Sequence, residues 1–312
     1  MSYERLESCP VCGKTEFRNK LVVEDRTVSH ESFAIVQCAG CSFQFTNPRP
    51  DEADIGRYYE SDDYVSHNSG AAGLVNRAYK VARFFTMRRK VGLLTKFAPR
   101  RGKLLDYGCG TGNFLAAAKS AGWDVAGFEP NARAREEASQ RLGQPIGQDG
   151  LGALEPGTFD AITLWHVLEH VHTLNETLAQ LAALLKPDGV MLIAVPNVES
   201  LDAQHYRELW AAYDVPRHLY HFAPKTMAQP AQEAQAGHPR NLAHAAGCLL
   251  REHAQRKAQG RAGRRPAHRS EGGLQVQPVR RAARGTVLEP AIRGRTTHSG
   301  GLRRLANGEK PG

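Results

Sequence analysis

The stretch KLLDYGCGTGNFLAAAKSAGWDVAGFEPNARAREEA, Lys103 to Ala138, decides the fold. Lys103 to Tyr107 reads as a short apolar strand, Gly108-Cys-Gly110-Thr-Gly112 as a glycine loop, and Asn113 to Ala121 as a helix with small residues on its inner face. Without side chains at 108, 110 and 112 the backbone turns sharply and comes close to a ligand. Val125 to Phe128 is a second strand ending in Glu129, and an acid at that tip is placed to accept both ribose hydroxyls of a nucleoside. The loop is GxGxG rather than GxGxxG, and Asp106 stands two residues before it. A carboxylate there repels a pyrophosphate but suits a cofactor with a cationic end.

Further along, FDAITLWHVLEHV (159–171) reads as a fourth strand and its exit, and LLKPDGVMLIAVPN (184–197) as a helix end, turn and fifth strand. With LLDYGCGTG and GFEP, these motifs in this order resemble the class I S-adenosylmethionine-dependent methyltransferases, most closely the subgroup with the ubiquinone-biosynthesis O-methyltransferases. The resemblance covers about 99 to 227. It implies an α/β, Rossmann-like doubly wound sheet and S-adenosyl-L-methionine, whose ammonium and sulfonium suit Asp106. It implies that Asp106, Gly108 and Gly110, with Gly112 closing the loop, hold the methionine part and that Glu129 holds the ribose. It further places Asp149 near the adenine, with Gln148 as an alternative, and Trp165 to Val167, His166 included, along the ligand. His166, Glu169 and His170 could share a helical face around a metal, but the motif is not HExxH and the resembling family binds none there. A metal is therefore not expected at that place.

Ahead of this region, Cys9-Pro-Val-Cys12 and Cys38-Ala-Gly-Cys41 are separated by 25 residues of strand-like text. Two CxxC knuckles present four thiolates to one point, the tetrahedral set that zinc prefers, so residues 1–47 read as a structural zinc ribbon. Such a ribbon could bind nucleic acid, shape a substrate pocket, or replace a core that so short a segment cannot build. Residues 48–73 read as a connector or lid. From Tyr64 to Leu105 there are ten Lys or Arg and no acid, and Val81, Phe84, Phe85, Val91, Leu94 and Phe97 stand at helical spacing that suits a helix with one or more buried faces. The charges scatter around the axis, which fits a solvated helix better than a nucleic-acid stripe.

The loop after the fifth strand lies over the carboxyl edge, where ligands sit in open α/β sheets, and holds His218 and His221. Either imidazole could take the acceptor's proton during in-line methyl transfer; equally, both could serve to pack the loop.

Residues 228–312 differ in kind. All 23 Phe, Trp and Tyr precede them, and they hold fourteen Arg and two Lys against five Glu, a net of +11 that leaves −2 for residues 1–227. The formal +9 therefore gives no support to a nucleic-acid partner. This segment reads as a disordered basic tail, and more specifically as out-of-frame text after a frameshift near Met227. The domain plan is thus 1–47, 48–73, a cofactor-binding core 74–227 lacking its last strands, and the tail.

No run reaches the ~18 apolar residues of a membrane span, and the start lacks a secretory layout, so a cytoplasmic location is expected. The expected activity is methyl transfer to a small-molecule acceptor such as a sugar, lipid precursor or quinone-like compound. The alternatives are an RNA or protein methyltransferase docking through ribbon and helix, and an inactive product of a damaged gene. The oligomeric state has no sequence signal.

Overall fold

A computed structural model describes residues 2–59, 74–148 and 150–227 and the backbone of 241–246 and 275–278, with 74–80 also described by backbone alone. All of these fall in one compact unit, Met1–Val279; the other unit, Arg280–Gly312, lies outside the described residues. Strands β1 (Tyr3–Glu4), β2 (Phe17–Glu24), β3 (Ser32–Cys38), β4 (Gln44–Thr46) and β5 (Arg49–Pro50) precede helix α1 (Leu74–Phe97). The central sheet then starts with β6 (Lys103–Tyr107), α2 (Asn113–Ser120), β7 (Asp124–Phe128) and α3 (Ala132–Leu142). It continues with β8 (Phe159–Trp165), α4 (Leu174–Leu184), β9 (Leu185–Val195) and α5 (Leu201–Tyr206), and β10 (Tyr220–His221) follows.

Strands β7, β6, β8 and β9 pair parallel, side by side. Their residues alternate between two cores, because successive side chains of a strand point to opposite faces. Leu104, Val125, Ala161 and Leu192 pack with Phe114 and Leu115 of α2, Leu142 of α3 and Leu94 of α1. Leu105, Ile162, Met191 and Ile193 pack with Leu174, Leu178 and Leu181 of α4.

Two expectations are corrected here. The core was expected to lack its last strands, yet Asn241–Ala246 (β11) runs parallel to β9, and Gln275–Pro278 (β12) pairs antiparallel with β11. An open sheet edge satisfies any backbone laid along it, so aromatic strand text is not required. The rest of the 228–312 tail lies outside the described residues. On α1, Val81, Phe84 and Phe85 face solvent, while Leu94 alone of the six apolar positions is fully buried.

The ribbon does not stand apart at residue 47. Its sheet runs β10-β4-β3-β2, so its fourth strand comes from the loop after β9, with Tyr220 opposite Phe45. Phe43 and Phe45 join Tyr220 and Phe222 in the core that also holds Leu105 and Ile162. On the other face Phe33, Ile35 and Tyr58 meet Trp210, Tyr213 and Val215. Of the connector, Ile55–Tyr59 forms a 3-10 turn that buries Tyr58; residues 60–73 lie outside the described residues.

Arg217 fastens these parts together. Its buried guanidinium donates to Asp25 Oδ1 at 2.9 Å, to Asp214 Oδ1 at 2.7 Å and to the Tyr58 carbonyl at 2.7 Å. Asp25 also accepts from the Ser29 and Thr27 N–H groups. Burial acts to raise both carboxyls, but at Asp25 the Ser29 N–H and Arg217, and at Asp214 the nearby His218 and Arg217, outweigh it and hold them low. Both therefore stabilise the fold at neutral pH, and that stabilisation starts to fade once pH drops below about 4. Removing one partner of a buried ion network strands the others, so Arg217→Met is expected to lower unfolding free energy in urea by about 3–5 kcal/mol at pH 7. Adding Asp25→Asn to that variant should recover part of the loss; a neutral Arg217→Met would refute the role given to this residue.

Candidate active site

The glycine loop closes at the carboxyl end of β6. Gly108 (φ 74°) faces the turn after β8, and a Cβ there would stand 2.5 Å from Val167 Cγ2. At Gly110 (φ 54°) a Cβ would meet nothing within 4 Å, so open space lies over the loop. Gly112 is the N-cap of α2. Gly108 and Cys109 N–H groups donate to the Phe128 carbonyl, Gly110 N–H to Glu129 Oε2 at 2.8 Å, and Gly112 N–H to the Cys109 carbonyl. With these four N–H groups spent inside the protein, the loop is poorly equipped to cradle a phosphate, which agrees with the charge argument at Asp106.

Two carboxylates flank the loop. Glu129, buried, accepts from Gly110 and, through Oε1, from the Asn131 N–H at 2.9 Å. Asp106, also buried, accepts from Thr163 Oγ1 at 2.6 Å. Burial pushes the Asp106 carboxyl up to about 7, with the Glu129 charge adding to the rise and Thr163 and Lys90 opposing it. Lys90 of α1 is the residue that sequence reading missed. Its ammonium lies 4.6 Å from the Trp165 ring centre, and burial lowers it to about 8 despite the pull of Asp106. Nothing marks it in the run Arg88-Arg89-Lys90; only packing of α1 against the sheet singles it out. Asp149 lies outside the described residues, and Gln148 beside it is exposed.

A second cluster lies where β8 and β9 end. His166 (φ 61°) places its Nδ1 3.3 Å from Glu169 Oε1, and Glu169 is fully buried. Burial acts to raise the Glu169 carboxyl, but the adjacent imidazoles, His166 first, outweigh it and hold it low. His218, from the loop after β9, approaches Glu169 and His170, the Leu219 N–H donating to the Glu169 carbonyl at 2.8 Å. The two base candidates thus separate. His221 Nε2 is 3.0 Å from Thr46 Oγ1 in the ribbon sheet, and burial pushes it down to about 3, so it packs as a neutral ring. His218 stands beside Glu169 and His170.

The four ribbon cysteines converge: Cys9 Sγ is 3.6 Å from Cys41 Sγ, and Cys12 Sγ 3.5 Å from Cys38 Sγ. A zinc tetrahedron with ~2.3 Å arms has edges of about 3.8 Å, so the donor set fits that ion and is far too wide for disulfides.

Asp106 makes stability depend on pH in an unusual sense. Its carboxyl keeps a proton in the folded state between about pH 4 and 7 that the unfolded chain has lost, so its contribution falls as pH rises through that window. Asp106→Asn keeps an acceptor for Thr163 and removes the buried charge, at the expense of the Lys90 partner. It is expected to raise unfolding free energy at pH 8 by on the order of 1–3 kcal/mol and to do little at pH 5. A variant less stable at both pH values would contradict this environment for Asp106.

The ubiquinone biosynthesis O-methyltransferase of Burkholderia lata is 30% identical over 133 residues, 40% of this chain and 57% of that protein. That of Ralstonia nicotianae is 35% identical over 101 residues, 30% and 42% of the two chains. This chain thus spans about half the length of the curated relatives it matches. Among solved structures, magnesium protoporphyrin IX methyltransferase from Synechocystis with bound SAH aligns at a TM-score of 0.45 and 19% identity, over 59% of this chain and 89% of that one. Residues 79–236, just over half of the sequence, match the family described as a methyltransferase domain, and the chain belongs to that family.

Proposed function

We propose that the protein transfers a methyl group from S-adenosylmethionine to a hydroxyl of a small-molecule acceptor. The observation that carries this reading is the pair of buried carboxylates, Asp106 and Glu129, beside a glycine loop with open space over Gly110. The Glu129 carboxylate, beside an Asp106 carboxyl that an approaching cation would help to ionise, favours a ligand with cationic groups, and the sulfonium cofactor supplies an electrophilic methyl. Asp106 is assigned the ammonium and Glu129 the ribose hydroxyls, exchanging its present bonds to Gly110 and Asn131 for them. Lys90 is assigned the carboxylate of the methionine part, His166 the flank of the pocket, and Asp149 the adenine.

The chain's task in an in-line displacement is alignment and proton removal. The acceptor is placed between the turn after β8 and the loop after β9, where the Glu169–His218 pair receives the hydroxyl proton. A phenolic, quinone-like acceptor is supported by the names of the relatives, each a ubiquinone biosynthesis O-methyltransferase. Cys9, Cys12, Cys38 and Cys41 are assigned a structural zinc, which would fix the sheet to which β10 belongs. No residue beyond 227 enters this reading. We read 228–312 as out of frame, since ten residues of backbone pairing need no particular side chains. Sequencing the gene checks it: an unaltered frame that related genes continue past codon 312 would overturn that reading.

Calorimetry of the full chain with S-adenosylmethionine should show one site. Glu129→Ala should weaken it at least tenfold, since a lost hydrogen bond to a charged group is worth about 1.5–3 kcal/mol. Incubation with a catechol-type acceptor should give a product heavier by one methylene in mass spectrometry. No binding by folded protein would overturn the proposal; binding without turnover on any acceptor pool would point to a non-catalytic chain.

A further inference from the structure

Every backbone polar group of His218 and Leu219 is engaged. His218 N–H donates to the Asp214 carbonyl at 2.9 Å, and Leu219 N–H to the Glu169 carbonyl at 2.8 Å. The Leu219 carbonyl accepts from Thr46 N–H at 2.9 Å, and the His218 carbonyl accepts from Thr46 Oγ1, also at 2.9 Å. Three of these four bonds run from backbone to backbone and need no particular side chain. The fourth depends on one residue, which lies on β4 at 172 positions from His218 in the chain. Thr46 is fully buried, so its hydroxyl has no water to turn to. Its Oγ1 also stands 3.0 Å from His221 Nε2. A hydroxyl has one proton and a carbonyl only accepts, so that proton goes to His218, and His221 Nε2 carries the N–H that Oγ1 receives. The ring of His218 is fixed in the same way: its Nδ1 is 2.9 Å from the Ala212 carbonyl oxygen, which places the proton there and leaves a lone pair on Nε2.

We propose that Thr46 is a positioning residue for methyl transfer: its hydroxyl, reaching out of the N-terminal sheet, aims the His218 ring at the acceptor. This rests on the reading of His218 as the group that receives the acceptor's proton. In that step the acceptor oxygen bonds the methyl carbon, the sulfur leaves with the electron pair of the broken bond, and the hydroxyl proton passes to His218 Nε2. Proton transfer of this kind demands a fixed direction, since the lone pair has to meet the proton as the new bond forms. Without the Thr46 hydroxyl the buried His218 carbonyl loses its donor, and the peptide after His218 gains by turning toward another. Such a turn swings the ring, while the pairing of Tyr220 with Phe45 and of His221 with Gln44 is untouched, because that ladder is backbone alone. Thr46 thus governs the aim of His218 rather than the existence of the sheet. His221 supports it from behind as a neutral ring, donating to the oxygen that holds His218.

The test is nuclear magnetic resonance of the full chain with nitrogen-15 in its histidine rings, the His218 and His221 signals being assigned by their loss in His218→Asn and His221→Asn. Thr46→Val keeps the shape of the side chain and removes the donor; Thr46→Ser returns it. At neutral pH the ring signals of His218 should move or split in Thr46→Val and return to the wild-type positions in Thr46→Ser. With S-adenosylmethionine and a catechol-type acceptor, kcat of Thr46→Val should fall by about 10–100-fold at unchanged KM for S-adenosylmethionine, the usual loss for a misplaced catalytic group. His218 signals identical in wild type and Thr46→Val would overturn the proposal. So would a wild type in which His221 carries its proton on Nδ1, a result that requires no variant to fold. His218→Asn with undiminished turnover would instead overturn the proton-acceptor reading, so the two failures are told apart.

Discussion

The arrangement of this molecule turns on the buried guanidinium of Arg217. It reaches Asp25 in the turn after β2, the Tyr58 carbonyl in the segment before α1, and Asp214 in its own loop. A guanidinium in the interior persists only when its donors are met, so these three segments share one position. His218 is the next residue in the chain and is thereby set against Glu169, with Leu219 bonded to the Glu169 carbonyl. Strand β10 follows at once and completes the ribbon sheet. The Glu169–His218 cluster therefore inherits its geometry from the N-terminal segment, through the Arg217 ion network and the pairing of β10 with β4.

The cofactor side is built differently. Asp106, the glycine loop and Glu129 come from two adjacent strands, and their geometry is local to the β6–α2–β7 unit. The electrostatic cost of two neighbouring buried carboxyls is lessened by Lys90, by Thr163 and by the loop's own N–H groups. A cationic ligand would relieve the same strain, so the features that make this edge unfavourable without a ligand favour a sulfonium–ammonium compound with one. Both sides meet at the turn after β8: Val167 packs on Gly108, and two residues later Glu169 faces His218.

This division explains what could be read from the sequence. The glycine loop, the acid ending β7, and the paired cysteines are local patterns whose spacing alone implies their geometry, and the structure gathers them as expected. Lys90 and Arg217 are ordinary basic residues in the text; what distinguishes them is burial, and burial comes from contacts distant in the chain. His218 and His221 are equivalent by position, and only the pairing of β10 with β4 tells the packed ring from the one facing Glu169. Strands β11 and β12 carry no aromatic residue and a single β-branched one, Val276, to announce them, since backbone pairing supplies their order.

The central claim is that a sulfonium nucleoside lies over Gly110 between Asp106 and Glu129. A crystal structure of the full chain with S-adenosylhomocysteine tests it most directly. The account predicts ribose hydroxyls on Glu129, the amino group at Asp106 and the carboxylate near Lys90. Density for the ligand elsewhere, or Glu129 still bonded to the Gly110 N–H beneath a bound ligand, would contradict it.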